Sequence, residues 1–230
     1  MIGRALRALT RLFYPRRARC LGCGAISGCR EDWVCPDCRA AMMRGWIGAG
    51  LPPRGIDAAA FAFVYRKAAA TLVWRLKYDD LRGLAEGMGE DMARACRAIE
   101  PTGADCVACV PMHPARRHRR GYNHAELLAR EVAARLGLPY LDALERVINT
   151  PQQAKADARA RYVNLRDAFR ARPEARGRRV LLVDDVCTTG ATATACAEAL
   201  RRGGAQRVCL LCYARTVERQ FDEGNDQTSR

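Results

Sequence analysis

The chain has 230 residues, of which 49% are apolar and 28% charged, so it is long and apolar enough to build a folded core. This composition excludes a mainly disordered protein, and no apolar run approaches the roughly 20 residues of a membrane helix. Lys and Arg number 39 against 25 Asp and Glu, which gives a net charge of +14. The excess favours an anionic partner, such as a nucleic acid, a phosphorylated small molecule or a membrane surface. A general bias toward arginine produces the same charge without any such partner.

Residues 1–19 are amphipathic, because Ile2, Leu6, Leu9 and Phe13 recur at helical spacing among arginines. The stretch lacks the continuous apolar run of a secretory signal, so we expect a cytoplasmic protein with reduced cysteines. We also expect a basic helix here that is able to touch a membrane surface.

Four cysteines form two C-x2-C pairs, Cys20 with Cys23 and Cys35 with Cys38. Two such pairs close a tetrahedral thiolate site, which leaves no open coordination position for catalysis. A segment this short has too few apolar residues for a core of its own, so a metal would supply its folding free energy. The spacing therefore predicts a structural zinc ribbon.

Two further C-x2-C pairs lie inside apolar, strand-like runs, at 106–109 and 209–212. Side chains three residues apart on a strand point to opposite faces, so neither pair can converge on one metal. We expect these cysteines to be buried in the core.

A Gly- and Pro-rich stretch at 45–55 is typical of a linker. It divides the chain into a basic helix with the ribbon (1–50), a main domain (51–216) and a flexible polar tail (217–230). Strands are predicted at 58–65, 106–110, 139–144, 180–183 and 207–213, and helices at 68–96 with an interruption near 78–83, 123–136 and 192–202. This alternation predicts an α/β fold with a parallel sheet, and ligands in such folds bind beyond the carboxyl ends of the strands.

The segment VLLVDDVCTTGAT at 180–192 is the most informative in the chain. A buried strand ends in two carboxylates, Asp184 and Asp185, and a Thr/Gly loop then enters a helix. Free amides at a helix N-terminus bind phosphate, while carboxylates accept hydrogen bonds from ribose hydroxyls or hold Mg²⁺. A sugar with a 5-phosphate and vicinal hydroxyls fits this unit. The alternative without function is a capped helix after a buried strand with surface aspartates.

This segment resembles the 5-phosphoribosyl-1-pyrophosphate (PRPP) loop of type I phosphoribosyltransferases. The resemblance implies that Asp184 and Asp185 contact the ribose and a magnesium ion. It assigns the 5-phosphate to Thr188, Thr189, Gly190, Ala191 and Thr192.

The same resemblance implies a diphosphate-binding loop after an early strand, which is residues 111–120 here. Its arginines would neutralise the leaving group: Arg116, Arg117, Arg119 and Arg120. Taken alone, the loop fits a nucleic-acid patch or a solvated basic loop equally well. The two histidines of the loop have no partner identifiable from the sequence, so we expect neither to be catalytic.

The chain contains four motifs that, in their order along the sequence, resemble those of the competence protein ComF family. They are the cysteine ribbon, VPMHPARRHRRGYNHA at 110–125, the pattern TPQQ…RYVN…AF at 150–169, and the PRPP loop. The resemblance spans about residues 15–215, and His124 stands where the family has glutamine. It implies a type I phosphoribosyltransferase-like parallel sheet flanked by helices, with a small N-terminal zinc ribbon. It also implies a role in the uptake of single-stranded DNA during natural transformation.

In type I phosphoribosyltransferases a mobile segment before the PRPP strand covers the site, and it corresponds to about 146–169 here. The resemblance implies that Arg161 acts there as a catalytic residue, with Gln153 and Asn164 as substrate contacts. It adds Lys77 as a phosphate contact. For Arg161 a charge on a helix face, and for Lys77 ordinary solvent exposure, are equally good interpretations.

Three functions stay open at this point. The first is a transferase that uses Mg-PRPP and an acceptor that the sequence does not name. The second is a non-catalytic protein that handles single-stranded DNA with DNA-uptake proteins, and the third is a PRPP sensor. For DNA, the aromatic residues available for stacking are Phe13, Tyr14, Trp33, Trp46 and Tyr122. We favour a ComF-like protein that binds PRPP and Mg²⁺ and acts in DNA uptake, with phosphoribosyl transfer as one of its activities.

Overall fold

The computed structural model describes residues 19–26, 33–99, 103–148, 165 and 167–217. Its strands are β1 (Trp46–Gly50), β2 (Ala58–Val64), β3 (Cys106–Cys109), β4 (Leu144–Arg146), β5 (Phe169–Ala171), β6 (Arg179–Cys187) and β7 (Arg207–Arg215). Five of them form the main sheet in the spatial order β1-β2-β7-β6-β3, while β4 and β5 form a small antiparallel sheet. Only β1 runs antiparallel to its neighbour in the main sheet.

The helices lie on both faces of this sheet. They are α1 (Pro36–Met43), α2 (Lys67–Tyr78), α3 (Leu84–Cys96), α4 (Pro114–Arg120), α5 (His124–Leu136) and α6 (Ala191–Arg202). Buried residues of α2, α3 and α5 pack on one face, and those of α6 pack with β4 and β5 on the other. The predicted α/β fold with helices flanking a parallel sheet is therefore confirmed.

The apolar run of β6 follows from its position inside the sheet. Leu181 and Val183 belong to one core cluster, whereas Val180 and Leu182 belong to the other. A parallel strand covered on both faces needs apolar side chains at every position. The strand extends past the predicted 180–183, through the two aspartates to Cys187.

The paired cysteines of β3 and β7 are buried on opposite faces. Cys109 and Cys209 lie in the cluster under α2, α3 and α5, while Cys106 and Cys212 lie in the cluster under α6. The expectation that these cysteines are buried in the core is confirmed.

Two local predictions differ from the structure. Residues 139–144 form no regular strand: Tyr140 makes an isolated parallel bridge to Val107, and β4 begins only at Leu144. The basic loop after β3 contains a helix, α4. That helix forms because Pro114 opens it and the amide of Ala115 donates to Nδ1 of His113, which therefore acts as its N-cap.

The interpretation of 45–55 as a linker is wrong over its first half. Residues 46–50 form β1, which pairs with β2 across the register Trp46–Phe63. The glycines there serve close packing rather than flexibility, because a Cβ on Gly50 would lie 2.8 Å from the Phe61 ring. The main sheet accordingly begins before residue 51.

The cysteine-rich segment packs directly on the main domain. Leu21, Val34 and Met42 belong to the same core cluster as α2 and α3. The guanidinium of Arg39 on α1 makes two hydrogen bonds to the Asp91 carboxylate on α3, at 2.7 and 2.5 Å. The Asp91 side chain is only 5% exposed. Because a buried charge needs a partner, this ion pair fixes α1 against α3.

We expect Arg39→Leu to lower the free energy of unfolding by about 3–5 kcal/mol, because it removes the bidentate partner of a buried carboxylate. Asp91→Asn should cost less, since Arg39 is 26% exposed and can reach water. Urea unfolding followed by circular dichroism measures both. Arg135→Leu breaks an ion pair on the surface of α5 and serves as the control, with an expected loss of roughly 0.5 kcal/mol. Equal losses for Arg39→Leu and Asp91→Asn would contradict the expectation that the buried carboxylate costs more to leave unpaired than the partly exposed guanidinium.

Candidate functional site

A cavity of about 610 Å³ opens at the carboxyl ends of β3 and β6, where parallel sheets place ligand sites. Its walls come from the last turn of α2, the segment after β3, α4, the start of α5 and the loop after β6. The predicted site residues that line it are Lys77, Arg116, Arg119, Arg120, Asp184, Asp185, Thr188 and Thr192.

Asp185 lies at the floor of the cavity and carries a buried charge. Its carboxylate forms an ion pair with the ammonium group of Lys77 and accepts the amide of Val186 at 2.7 Å. Burial by itself would raise the pKa of Asp185, but His124 and Lys77 lower it below its usual range. Lys77 therefore neutralises Asp185 while facing the cavity, and its predicted contact with a phosphate stays a prediction.

His124 is a site residue that the sequence analysis treated only as a departure from a pattern. Its Nδ1 accepts a hydrogen bond from Nη1 of Arg120 at 2.9 Å, and its Nε2 lies 3.4 Å from Asp185. The proton therefore belongs on Nε2, pointing at the carboxylate. Burial lowers the pKa of His124 to about 4, so the ring is neutral at pH 7.

The carboxylate of Asp184, the other member of the acidic pair, faces the cavity. Its Oδ1 accepts the amide of Asp185 at 2.9 Å. Burial and the neighbouring Asp185 raise the pKa of Asp184 well above its ordinary value. Ligand atoms of Asp184, Asp185 and His124 lie within 4.8 Å of one another. The donor set suits a hard cation such as Mg²⁺ through the carboxylates, whereas the protonated Nε2 of His124 is not a ligand.

The loop after β6 forms the entrance to α6. Gly190 is its N-cap with φ +78°, and a Cβ there would meet Pro53 at 2.8 Å. Gly190 has no side chain to cap α6, and the hydroxyl of Thr189, the residue before it, accepts the amide of Ala191 at 3.4 Å. The first turn thus offers free amides toward an anion, with Thr188 and Thr192 beside them in the cavity wall.

The arginine side chains of α4 point in two directions. Arg116, Arg119 and Arg120 line the cavity together with Arg146 of β4. Arg117 instead pairs with Glu126 of α5 at 3.1 Å, so the structure does not bring it to the others. This distribution follows from helical spacing, because a seven-residue helix cannot turn four arginines to one side.

The other predicted positions are placed as follows. Arg161, Gln153 and Asn164 lie outside the described residues, as do Phe13 and Tyr14. Thr189 and Gly190 lie in the loop and Ala191 begins α6, but none of the three lines the cavity. His118 is exposed on α4.

The three described aromatic residues predicted for stacking have other roles. Tyr122 is buried and donates its hydroxyl hydrogen to the carbonyl of Leu76. Trp46 packs edge-on against Phe63 at 5.4 Å. Trp33 packs on the core cluster under α2 and α3.

The predicted metal cysteines do converge. The sulfur atoms of Cys20, Cys23, Cys35 and Cys38 lie within 4.8 Å of one another. Burial opposes ionisation of the Cys20 thiol, but amides of Cys35 and Gly22 donate to its sulfur at 3.2 Å, and its pKa is lowered to about 6. Burial and the neighbouring sulfur atoms instead raise the pKa of Cys38, and neighbouring sulfur atoms raise the pKa of Cys23. The convergence of the four sulfur atoms is what allows this cluster to hold a metal ion.

No helix within the described ranges has the length and apolar character needed to span a membrane. The basic segment 1–18 lies outside these ranges, so the predicted contact of 1–19 with a membrane surface stays a prediction.

Comparison with known proteins identifies related chains. Residues 118–228 match the phosphoribosyl transferase domain family. The chain is 32% identical over 158 residues to DNA utilization protein YhgH of Salmonella typhi, covering 66% of this chain and 70% of that protein. It is 36% identical over 159 residues to competence protein F of Haemophilus influenzae, covering 66% of this chain and 69% of that protein.

Solved structures show a more distant similarity. The allosteric regulatory enzyme of purine biosynthesis matches 57% of this chain at 22% identity and a TM-score of 0.40, and the match covers 25% of that enzyme. Adenine phosphoribosyltransferase from Thermoanaerobacter pseudethanolicus matches 65% at 16% identity and a TM-score of 0.36, covering 87% of that chain.

Removing the partner of Asp185 should destabilise the fold. We expect Lys77→Met to lower the free energy of unfolding by about 3–5 kcal/mol at pH 7. The loss should shrink as the pH falls, because protonation neutralises the buried carboxyl group. Adding Asp185→Asn should recover part of the loss. Urea unfolding between pH 5 and 8 tests this, with Lys67→Met at the exposed start of α2 as control. If the free energy of unfolding lost in Lys77→Met did not change with pH, the buried ion pair between Lys77 and Asp185 would be contradicted.

Proposed function

This chain belongs to the competence protein ComF family, and we propose that it binds PRPP together with Mg²⁺ in the cavity at the ends of β3 and β6. The observation that carries the proposal is the convergence of three chemically different groups. An acidic pair, an uncapped helix N-terminus and arginines of a separate helix line the same cavity. Each matches one part of PRPP: the ribose, the 5-phosphate and the diphosphate.

In this proposal the loop at 188–192 binds the 5-phosphate through its amides and threonine hydroxyls. Asp184 accepts hydrogen bonds from the ribose hydroxyls, while Asp185 is held by Lys77 and fixes the end of β6. The protonated Nε2 of His124 points at Asp185 and so orients that carboxylate.

The leaving diphosphate would lie against Arg116, Arg119 and Arg120, which stabilise its negative charge. When bound, Mg²⁺ would add charge neutralisation of the diphosphate, held by the carboxylates of Asp184 and Asp185. Phosphoribosyl transfer then requires an acceptor nucleophile and exclusion of water. Arg161, Gln153 and Asn164 remain the proposed contacts of the covering segment, with Arg161 as the catalytic one.

We further propose that the four-cysteine cluster holds zinc and that the protein acts in the cytoplasm in a DNA-related process. Four thiolates at these separations suit tetrahedral zinc. The names of the relatives, DNA utilization protein and competence protein, support the process. The charge of +14 is compatible with a polyanionic partner.

Calorimetric titration of the zinc-loaded chain with PRPP and Mg²⁺ tests the sugar-phosphate site. We expect micromolar binding, weakened by roughly 10- to 100-fold in each of two variants. Asp184→Asn loses the negative charge and one of the two acceptor oxygens for the ribose and Mg²⁺, and Thr188→Val loses a donor to the 5-phosphate. Arg178→Ala, at the opposite end of β6, removes a charge without touching the cavity and should bind normally. Absence of binding by the wild-type chain would refute the proposal.

Metal removal tests the cysteine cluster. The purified chain should contain one zinc ion per molecule, and Cys38→Ser should lose it. Because the cluster packs on the core under α2 and α3, chelation should lower the melting temperature of the whole molecule. Metal analysis and differential scanning calorimetry measure both effects. Cys212→Ala, in the core, should retain the metal. A fully folded chain without metal would contradict the role assigned to zinc.

A further inference from the structure

Another cavity, of about 320 Å³, lies where the cysteine-rich segment meets α3. The apolar part of its wall consists of large side chains from both sides of this junction: Trp33, Met43, Leu72, Leu84 and Met88. Met43 is 38% exposed, and the unbranched methionine side chains adapt to the shape of a neighbouring group. A cavity of this kind suits a large apolar side chain as an anchor.

Gly87 leaves the α3 side of this cavity open. A Cβ at Gly87 would meet nothing outside its own helix turn within 4 Å, although glycine inside a helix is destabilising relative to alanine. Gly89, two residues on, has a packing reason, because a Cβ there would lie 2.6 Å from Cβ of Glu131 on α5. The described contacts of α3 give no such reason for Gly87. The open surface at Gly87 therefore fits a group that approaches the helix backbone closely.

The α3 side of the cavity carries negative charge that the rest of the described chain does not neutralise. Glu86 and Glu90 are exposed and four residues apart, so two like charges repel each other on one helix face. Within the part of the chain that the structure describes, neither carboxylate forms an ion pair. Of the two arginines in the cavity wall, Arg39 binds Asp91, and Arg94 lies one turn beyond Glu90. In a chain with a net charge of +14, this surface therefore favours a basic group.

The chain itself has a segment that complements this cavity and begins beside it. Residues 1–18 carry five arginines and no acidic residue, and their apolar residues recur at helical spacing as far as Phe13. The amide of Leu21 donates to the carbonyl of Trp33 in the cavity wall at 2.9 Å, and the two residues from 19 to 21 span at most about 7 Å. A helix of 18 residues is about 27 Å long, which is enough to reach across the cavity to α3.

We propose that residues 1–18 dock on this cavity as a basic amphipathic helix, with the Phe13 ring beside Gly87 and arginines facing Glu86 and Glu90. Phe13 is the anchor because it is the largest of the periodic apolar side chains and the nearest to Arg19. The short connection makes the association intramolecular, so a modest contact is sufficient to hold it. A docked apolar face is not available to a membrane surface, so docking and the predicted membrane contact are alternatives. The inference does not depend on PRPP binding.

The test is photo-cross-linking in the full zinc-loaded chain, with a benzophenone amino acid in place of Phe13. Benzophenone forms a covalent bond to C–H groups that it touches, and mass spectrometry locates the product. We expect cross-links within one chain to residues of the cavity wall, Met43 and Met88 above all. Gly87→Leu should lower their yield several-fold, because its side chain fills the open space. Glu90→Lys should do the same, because it replaces an attractive charge by a repulsive one.

Glu174→Lys is the matched control, because it makes the same change of charge on an exposed residue between β5 and β6. It should leave the yield of cross-links unchanged. Gly87→Leu should keep its fold in thermal melting, since leucine favours a helix, and Glu90→Lys changes only an exposed side chain.

Three outcomes would overturn the proposal: cross-links confined to residues away from the cavity, cross-links between two chains, or a yield that neither Gly87→Leu nor Glu90→Lys lowers. Neither Gly87 nor Glu90 lines the cavity at the ends of β3 and β6, so both variants should bind PRPP as the wild type does. Failure of the docking proposal would therefore leave the sugar-phosphate site untouched.

Discussion

The buried charge of Asp185 is the constraint on which the site depends. A carboxylate with 5% side-chain exposure at the end of a central strand is costly unless cations and donors surround it. Lys77 supplies the charge from α2, and His124 supplies a proton from α5, where Arg120 fixes its tautomer. One carboxylate therefore joins α2, α5 and β6 at the floor of the cavity. With Asp185 held in this way, Asp184 is left as the member of the pair directed at a ligand.

The cysteine-rich segment is bound into the same architecture rather than attached by a linker. Its apolar residues belong to the core cluster under α2 and α3, and Arg39 pairs with Asp91 inside that interface. A metal at the four cysteines would consequently stabilise α2 as well as the ribbon, because α1 and α2 pack on each other. Since Lys77 and Tyr78 end α2, the ribbon helps to position one wall of the cavity, although it lies outside it.

The sequence alone predicts structural features that depend on residues adjacent in the chain. The strand, acidic pair and Thr/Gly loop at 180–192 are contiguous, so their order predicts the geometry at the start of α6. Contacts between distant segments were not accessible in this way: neither the Lys77–Asp185 pair nor the turn of Arg117 toward Glu126 has a local pattern. The glycines of β1 show the same limit, because close packing, as of Gly50 on Phe61, and flexibility both favour glycine.

The Arg120 side chain connects two parts of the cavity. It lines the wall beside Arg116 and Arg119, and its Nη1 donates to Nδ1 of His124. That hydrogen bond fixes the tautomer in which the Nε2 proton of His124 points at Asp185. An anion that drew the Arg120 guanidinium away from His124 would remove this bond and leave the imidazole free to change its tautomer. The basic wall and the acidic floor of the cavity are therefore coupled through one guanidinium.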